Sequence, residues 1–227
     1  MQNLNKEIWE ERYANNEVLL SYPFDSVVSF IFKSFKGVDR RKIKVLDLGC
    51  GGGNHVSFLA SEGFDYYGID YSKSAVSSVR KFLHSKGFDT STVIQGDVRE
   101  LPYDNNFFDA IIDRQVIGQN CWLEIQKIYF EVYRVLKKNG LYYGLNFFED
   151  DENIHYATHI SDGDYTNFRE GKLKGFGQRH FFSLQQLYSL LSRFNIIDIN
   201  LISKKSLIRK KPVAKEVCVI ARKELYE

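Results

Sequence analysis

The chain has few of the residues that staple or punctuate unusual folds. It has three cysteines in 227 residues (Cys50, Cys121 and Cys218), scattered and odd in number, with no Cys-x-x-Cys pair. Neither a zinc site nor a disulfide framework is therefore predicted. Prolines also number three, and no repeat or low-complexity tract occurs. No apolar run approaches the ~20 residues that span a bilayer. The segment from Met1 to Asn16 is charged and lacks an apolar stretch, which predicts no secretory leader and a reducing, cytoplasmic setting. Neither charge sign dominates, with 31 Lys and Arg against 29 Asp and Glu. No general attraction to a polyanion follows, so nucleic acid and membrane are not expected partners. What the chain does have is aromatic mass, 18 Phe and 14 Tyr, most of it expected to fill core. Its length fits one domain, 1–227, with room for a substantial core.

The most informative stretch is Val45-Leu46-Asp47-Leu48-Gly49-Cys50-Gly51-Gly52-Gly53-Asn54. An apolar strand, Ile43 to Leu48, runs into a glycine-rich turn and then a helix opening near Asn54. Glycine lets the backbone adopt positive φ and pass close to a ligand. In an open α/β sheet such a turn lies at the carboxyl end of a strand, where ligands bind. The spacing is not that of a dinucleotide site, because the sixth position of Gly-x-Gly-x-x-Gly is Asn54. No Gly-Lys-Ser/Thr follows, which excludes a P-loop. Asp47 would repel a pyrophosphate and favour a cationic ligand.

Further elements follow in order. Phe64 to Ile69 is a short apolar strand ending at Asp70, 21 positions beyond Gly49. A carboxylate about 20 residues past the first glycine suits two vicinal ribose hydroxyls. Tyr71 stands next to it, placed to lie on a base. A third strand, Thr92 to Gln95, leads to Gly96-Asp97-Val98, and a fourth covers Phe107 to Asp113. Glu131 to Gly140 reads as a helix end and a turn into a fifth strand, Leu141 to Phe147.

Asp47-x-Gly49-x-Gly51-x-Gly53, with Asp70 and Asp97 at these intervals, resembles the class I S-adenosylmethionine-dependent methyltransferases. The resemblance covers nearly the whole chain. It implies a doubly wound α/β fold whose seven-stranded sheet has the order 3-2-1-4-5-7-6, the last strand antiparallel, with helices on both faces. It implies S-adenosylmethionine as cofactor. Asp47, Gly49, Cys50, Gly51, Asn54, Asp70, Tyr71, Asp97, Val98 and Asp113 are the implied cofactor residues, with Asp97 accepting from the adenine amino group. Trp9-Glu10-Glu11-Arg12-Tyr13 and Ser21-Tyr22-Pro23 resemble the N-terminal segment of small-molecule methyltransferases, where an aromatic closes over the cofactor; Tyr13 and Tyr22 are the candidates. Gly177-Gln178-Arg179-His180-Phe181-Phe182-Ser183 resembles a segment of a group near the tellurite-resistance type.

Helical spacing is predicted over Asn3–Asn15 and over Phe24–Phe35, with Pro23 at the entry. The expected organisation is an N-terminal helical lid (1–40), a cofactor-binding core (42–148), a substrate insert (149–182), and a helix with a closing hairpin (183–227). The insert is polar and aromatic and shows poor periodicity. Ser183 with Gln186 fits a capping box for a helix over Leu184–Phe194. Two strands follow, Ile196–Ser203 and Val213–Ala221, joined by a loop bearing Lys204, Lys205, Arg209, Lys210 and Lys211.

Displacement at a sulfonium carbon releases neutral sulfur, so no acid is required. Alignment and a dry pocket should supply most of the catalysis. A hydroxyl or protonated amine would need a base. His180 is the first candidate, its ordinary pKa being near neutrality; replacing it should lower turnover and spare cofactor affinity. His155 and His159 are weaker choices. Arg114, ending the fourth strand, either holds a substrate anion or pairs with Asp113. No Asn/Asp-Pro-Pro-Tyr/Phe follows that strand, which argues against exocyclic-amine methylation of bases, and Cys121 lacks the setting of cytosine C5 chemistry. Asp150, Asp151 and Glu152 read as a solvated loop, and no metal is expected. The expected reaction is methylation of O or N on a small metabolite. An RNA or protein methyltransferase and a non-catalytic cofactor-binding protein remain as alternatives, and the oligomeric state is open.

Overall fold

The computed structural model describes residues 4–17, 21–208 and 212–224. Two helices, α1 (Leu4–Ala14) and α2 (Asp25–Ser34), precede the sheet. Pro23 stands before α2 rather than within its first turn, and Phe24 is the N-cap. The alternation that follows is β1 (Lys44–Leu48), α3 (Asn54–Ser61), β2 (Asp65–Asp70), α4 (Lys73–Ser85), β3 (Val93–Gln95), β4 (Phe108–Arg114), α5 (Trp122–Val135) and β5 (Leu136–Phe147). Three short strands, β6 (Thr158–Ser161), β7 (Asp164–Thr166) and β8 (Arg179–His180), then lead to α6 (Leu184–Leu190), β9 (Phe194–Lys204) and β10 (Ala214–Lys223).

The main sheet has the order β3-β2-β1-β4-β5-β10-β9. β10 runs antiparallel to both β5 and β9, and the other pairs are parallel. With β9 and β10 as the sixth and seventh strands of this sheet, the order matches the expected 3-2-1-4-5-7-6. Successive strand residues face opposite ways, which splits the core into two layers. Leu46, Leu48 and Ile111 pack with Ile125, Ile128 and Leu187 of α5 and α6 on one face. Val45, Ala110 and Ile112 pack with α2, α3 and α4 on the other, against Phe30, Val56 and Val79. Apart from Ala110, each such side chain contributes roughly 1.5–3 kcal/mol by burial. α5 and α6 lie on one face and α2, α3 and α4 on the other, which leaves the carboxyl ends of β1, β2 and β4 open to the loops.

Two boundaries differ from expectation. The last helix stops at Leu190 instead of Phe194, because Phe194 already pairs with Lys223 as the first residue of β9. β5 begins at Leu136, ahead of the expected Leu141, with a shift in its pairing to β4 between Phe108 and Ala110 and a left-handed Asn139 (φ 63°). The segment after β5 folds as a three-stranded sheet, β6-β7-β8, over a small core of Phe147, Phe168, Leu173 and Phe181. Strands of four, three and two residues are too short to leave a readable period. The capping box at Ser183 and Gln186 is present in full.

Candidate active site

β1 ends at Leu48 and the chain turns through Gly49 (φ 64°), Gly51 (φ 48°) and Gly53 (φ 78°) into α3. A Cβ on Gly49 would lie 2.5 Å from Val116, and one on Gly51 would meet the Tyr13 hydroxyl, so space and backbone both demand glycine there. Asp70, ending β2, ties this turn to the next one. Its Oδ2 accepts from the Gly51 amide at 2.9 Å and its Oδ1 from the Ser72 amide at 2.9 Å. Burial pushes the Asp70 carboxyl up to about 6 despite these two donors, and the nearby charges of Asp47 and Glu10 push the same way.

The turn forms the floor of a cleft of about 670 Å³, well within the range of small-molecule sites. Asp47, Gly49, Cys50, Gly51, Asn54, Asp70, Tyr71, Asp97, Val98, Tyr13 and Arg114 all line it. Asp47 faces His55 Nδ1 at 3.2 Å. Its Oδ2 and the His55 Nε2 are buried with no hydrogen-bond partner among the described residues. Such orphaned groups are costly unless a ligand satisfies them. α1 roofs the cleft. Glu10 accepts from the hydroxyls of Ser72 and Ser74, each at 2.6 Å, which fastens α1 to the start of α4 and holds the Glu10 carboxyl below its ordinary pKa. Trp9 stacks on Tyr13 at 5.8 Å, and the Tyr71 hydroxyl donates to the Asn5 carbonyl. Burial, then the charge of Asp70, raises the Tyr13 phenol well above its usual range, so it is a hydrogen-bonding neutral group.

Several candidates stand differently from expectation. Asp97 lines the cleft, but its Oδ2 accepts from Lys6 at 2.8 Å and its Oδ1 from Arg99 Nε at 2.9 Å. Burial opposes ionisation there, yet these cations hold the Asp97 pKa below the normal carboxylate range. Asp113 is fully buried and does not face the cleft; it organises the turn that does. Tyr22 offers only its carbonyl, which accepts from Asn54 Nδ2, while its side chain is largely in solvent. Arg114 does not pair with Asp113. It lies over the Phe24 ring at 4.4 Å and 3.8 Å from Glu216. Asp151 is buried, accepting from the Asn153 and Lys215 amides, so that loop is not simply solvated. His155 is exposed and His159 packs on Tyr165, both away from the cleft.

His180 requires the largest correction. Its ring is fully buried, with Nδ1 2.7 Å from Asp164 and Nε2 3.2 Å from Gln186 Oε1, and it stacks on Trp122 at 5.4 Å. It does not line the cleft. On a strand, neighbours point opposite ways; Arg179 faces the cleft and His180 faces the interior. We expect His180→Ala to lower stability by about 2–4 kcal/mol through lost packing and stranded partners, and to leave cofactor affinity within about twofold. A thermal melt and a titration check this; a large affinity loss with unchanged stability would contradict it.

The sequence reading missed His55, Gln115, Arg179 and Glu216, all on the cleft. Gln115 adopts a left-handed φ of 61° at the end of β4, and its side chain donates to Glu216 at 2.6 Å. Lys204 also pairs with Glu216, at 3.2 Å. Arg209, Lys210 and Lys211 of the expected basic run lie outside the described residues.

A mostly parallel sheet with an antiparallel last strand and a glycine floor facing a buried carboxylate is the arrangement that the class I methyltransferase resemblance implies. A family model described as "Methyltransferase domain" matches residues 39–171. The chain belongs to that family, the class I S-adenosylmethionine-dependent methyltransferases. Among curated proteins it is similar to 24-methylenesterol C-methyltransferase 2 of Arabidopsis thaliana, 32% identical over 133 residues, which is 53% of this chain and 36% of that one. The chain spans between 34% and 62% of the length of the curated relatives it matches. Its fold is similar to a methyltransferase structure from Methanosarcina mazei (TM-score 0.68, 22% identity, 90% of this chain and 100% of that one). It is also similar to the 1,6-didemethyltoxoflavin-N1-methyltransferase of Burkholderia thailandensis, solved with bound 1,6-didemethyltoxoflavin and S-adenosylhomocysteine (TM-score 0.67, 17% identity, 97% of this chain and 87% of that one). No helix among the described residues is long and apolar enough to cross a membrane.

Proposed function

We propose that this protein transfers the methyl group of S-adenosylmethionine to an oxygen or nitrogen of a small metabolite. The observation that carries the reading is Asp70, a buried carboxylate fixed on the Gly51 and Ser72 amides and facing a cleft that extends on to Arg114 and Glu216. The donor would fit these residues. Asp70 offers acceptors for two ribose hydroxyls, Tyr71 and Val98 offer apolar surface for adenine, and the unsatisfied Asp47 Oδ2 offers an acceptor for an ammonium group. When bound, the donor supplies an electrophilic methyl on a sulfonium. The chain's own residues align the acceptor with that carbon and exclude water beneath α1 and the insert. Supporting the small-molecule reading, the named relatives act on a sterol and on didemethyltoxoflavin. Incubation with methyl-tritiated donor and total cellular metabolites, RNA and protein should place label in the low-mass fraction. Label confined to RNA or protein would overturn the proposal in favour of a macromolecular substrate.

A further inference from the structure

Arg179 is 2% exposed, lines the cleft, and has no acidic partner among the described residues. Its Nη1 donates to the Gln178 carbonyl at 2.6 Å, a neutral acceptor. The other arginines near the cleft differ. Arg99 is paired with Asp97 and Glu124, and Arg114, although its Nε is buried without a partner among the described residues, has Nη2 3.8 Å from Glu216. Around Arg179 the neighbours are aromatic or cationic. Its guanidinium lies 5.2 Å from the Phe176 ring and 5.9 Å from Trp9, while Arg12 covers Phe176 at 4.0 Å. Burial and the charge of Arg12 lower its pKa to about 9, which leaves it protonated at neutral pH. A buried, unpaired cation is among the costliest groups a fold can hold. A guanidinium without a carboxylate partner, walled by flat rings, suits a planar or tetrahedral oxyanion.

We propose that the acceptor substrate carries an acidic group, carboxylate or phosphate, which is seated on Arg179 between Trp9 and Phe176. This deepens the methyltransferase reading and rests on it. We place this anion apart from the carboxylate of the methyl donor, and the titration below separates the two. That carboxylate shares a carbon with the ammonium group assigned to Asp47, whereas Arg179 lies beside Trp9 and Phe176. The acid of the acceptor thus anchors it under the roof and leaves its nucleophilic atom to reach the floor of the cleft.

The test uses the full chain saturated with S-adenosylhomocysteine and titrated with benzoate, phenyl phosphate and neutral benzamide. Wild type should bind one equivalent of benzoate or phenyl phosphate and ignore benzamide. The tighter of the two anions identifies the acid. Arg179→Gln should weaken the anion at least about tenfold, as loss of a charge-assisted pair requires, while the affinity for S-adenosylhomocysteine stays within twofold. Arg179→Met should melt no lower than wild type, because it removes a buried unpaired charge, and serves as the second variant. Equal anion binding by wild type and both variants, or no anion binding at all, would overturn the proposal. A tenfold loss of S-adenosylhomocysteine affinity in Arg179→Gln would do so too, by assigning the arginine to the donor. Failure of wild type to bind S-adenosylhomocysteine would instead remove the methyltransferase reading itself.

Discussion

Asp70→Ala should weaken S-adenosylhomocysteine binding by a hundredfold or more. Two ribose hydroxyls donating to one carboxylate form charge-assisted bonds of about 1.5–3 kcal/mol each, and 1.4 kcal/mol corresponds to tenfold. The substitution also frees the Gly51 and Ser72 amides, which Asp70 holds at 2.9 Å, so the glycine floor loses its brace. Calorimetry on the two proteins reads the loss directly; an affinity within threefold of wild type would contradict the assignment. The same carboxylate sets a pH dependence. Its pKa is pushed up to about 6 by burial, and the hydroxyls donate to its ionised form. Affinity should therefore be constant above pH 7 and fall as pH drops below about 6, close to tenfold by pH 5. Asp70→Asn should abolish that slope. The apo protein behaves in the opposite sense. Its folded pKa lies above the unfolded value, so the native state binds the proton first, and this group's contribution to stability declines as pH rises from about 4 to 6.

The second large effect falls on stability. Asp113 is completely buried at the end of β4, where burial raises its pKa against four donors. Oδ1 accepts from the Val116 and Ile117 amides at 2.9 and 3.1 Å; Oδ2 accepts from the Asn146 amide nitrogen at 2.6 Å and the Tyr142 hydroxyl at 3.1 Å. Asp113→Ala strands the Val116 and Ile117 amides and the Asn146 side-chain amide in the core, while the Tyr142 hydroxyl keeps Tyr129 at 3.2 Å. A loss of about 3–5 kcal/mol follows, which for a chain of this length lowers Tm by about 10 °C. The turn it secures carries Gln115, Val116 and Gln119 to the cleft, so donor affinity should fall with it. A Tm within 2 °C of wild type would show that the turn holds without the carboxylate.

The features legible in the sequence are those written over a short span. Strand, glycine turn and helix are contiguous, and Asp70 follows at one crossover's distance, so β1 to β2 and the floor of the cleft could be read from spacing alone. The closing hairpin was legible for the same reason. The far end of the cleft was not. Gln115 and Glu216 meet across 101 positions, brought together only when β10 enters between β5 and β9. Arg179 and His180 are adjacent, and a two-residue strand sends one to the cleft and one into the core; no pattern in the chain announces which. Residue type suggested the histidine as the reactive group, and burial gave it instead to Asp164 and Gln186. Tyr22 shows the same limit on an exposed segment, since its backbone carbonyl binds Asn54 while its ring points to solvent.

The central claim is that the glycine floor and Asp70 form the methyl-donor site. A crystal structure of the protein with S-adenosylhomocysteine tests it most directly. The account predicts both ribose hydroxyls on the Asp70 carboxylate, adenine between Tyr71 and Val98, and the ammonium group on Asp47. A nucleoside found elsewhere, or bound in the cleft with its ribose away from Asp70, would contradict it.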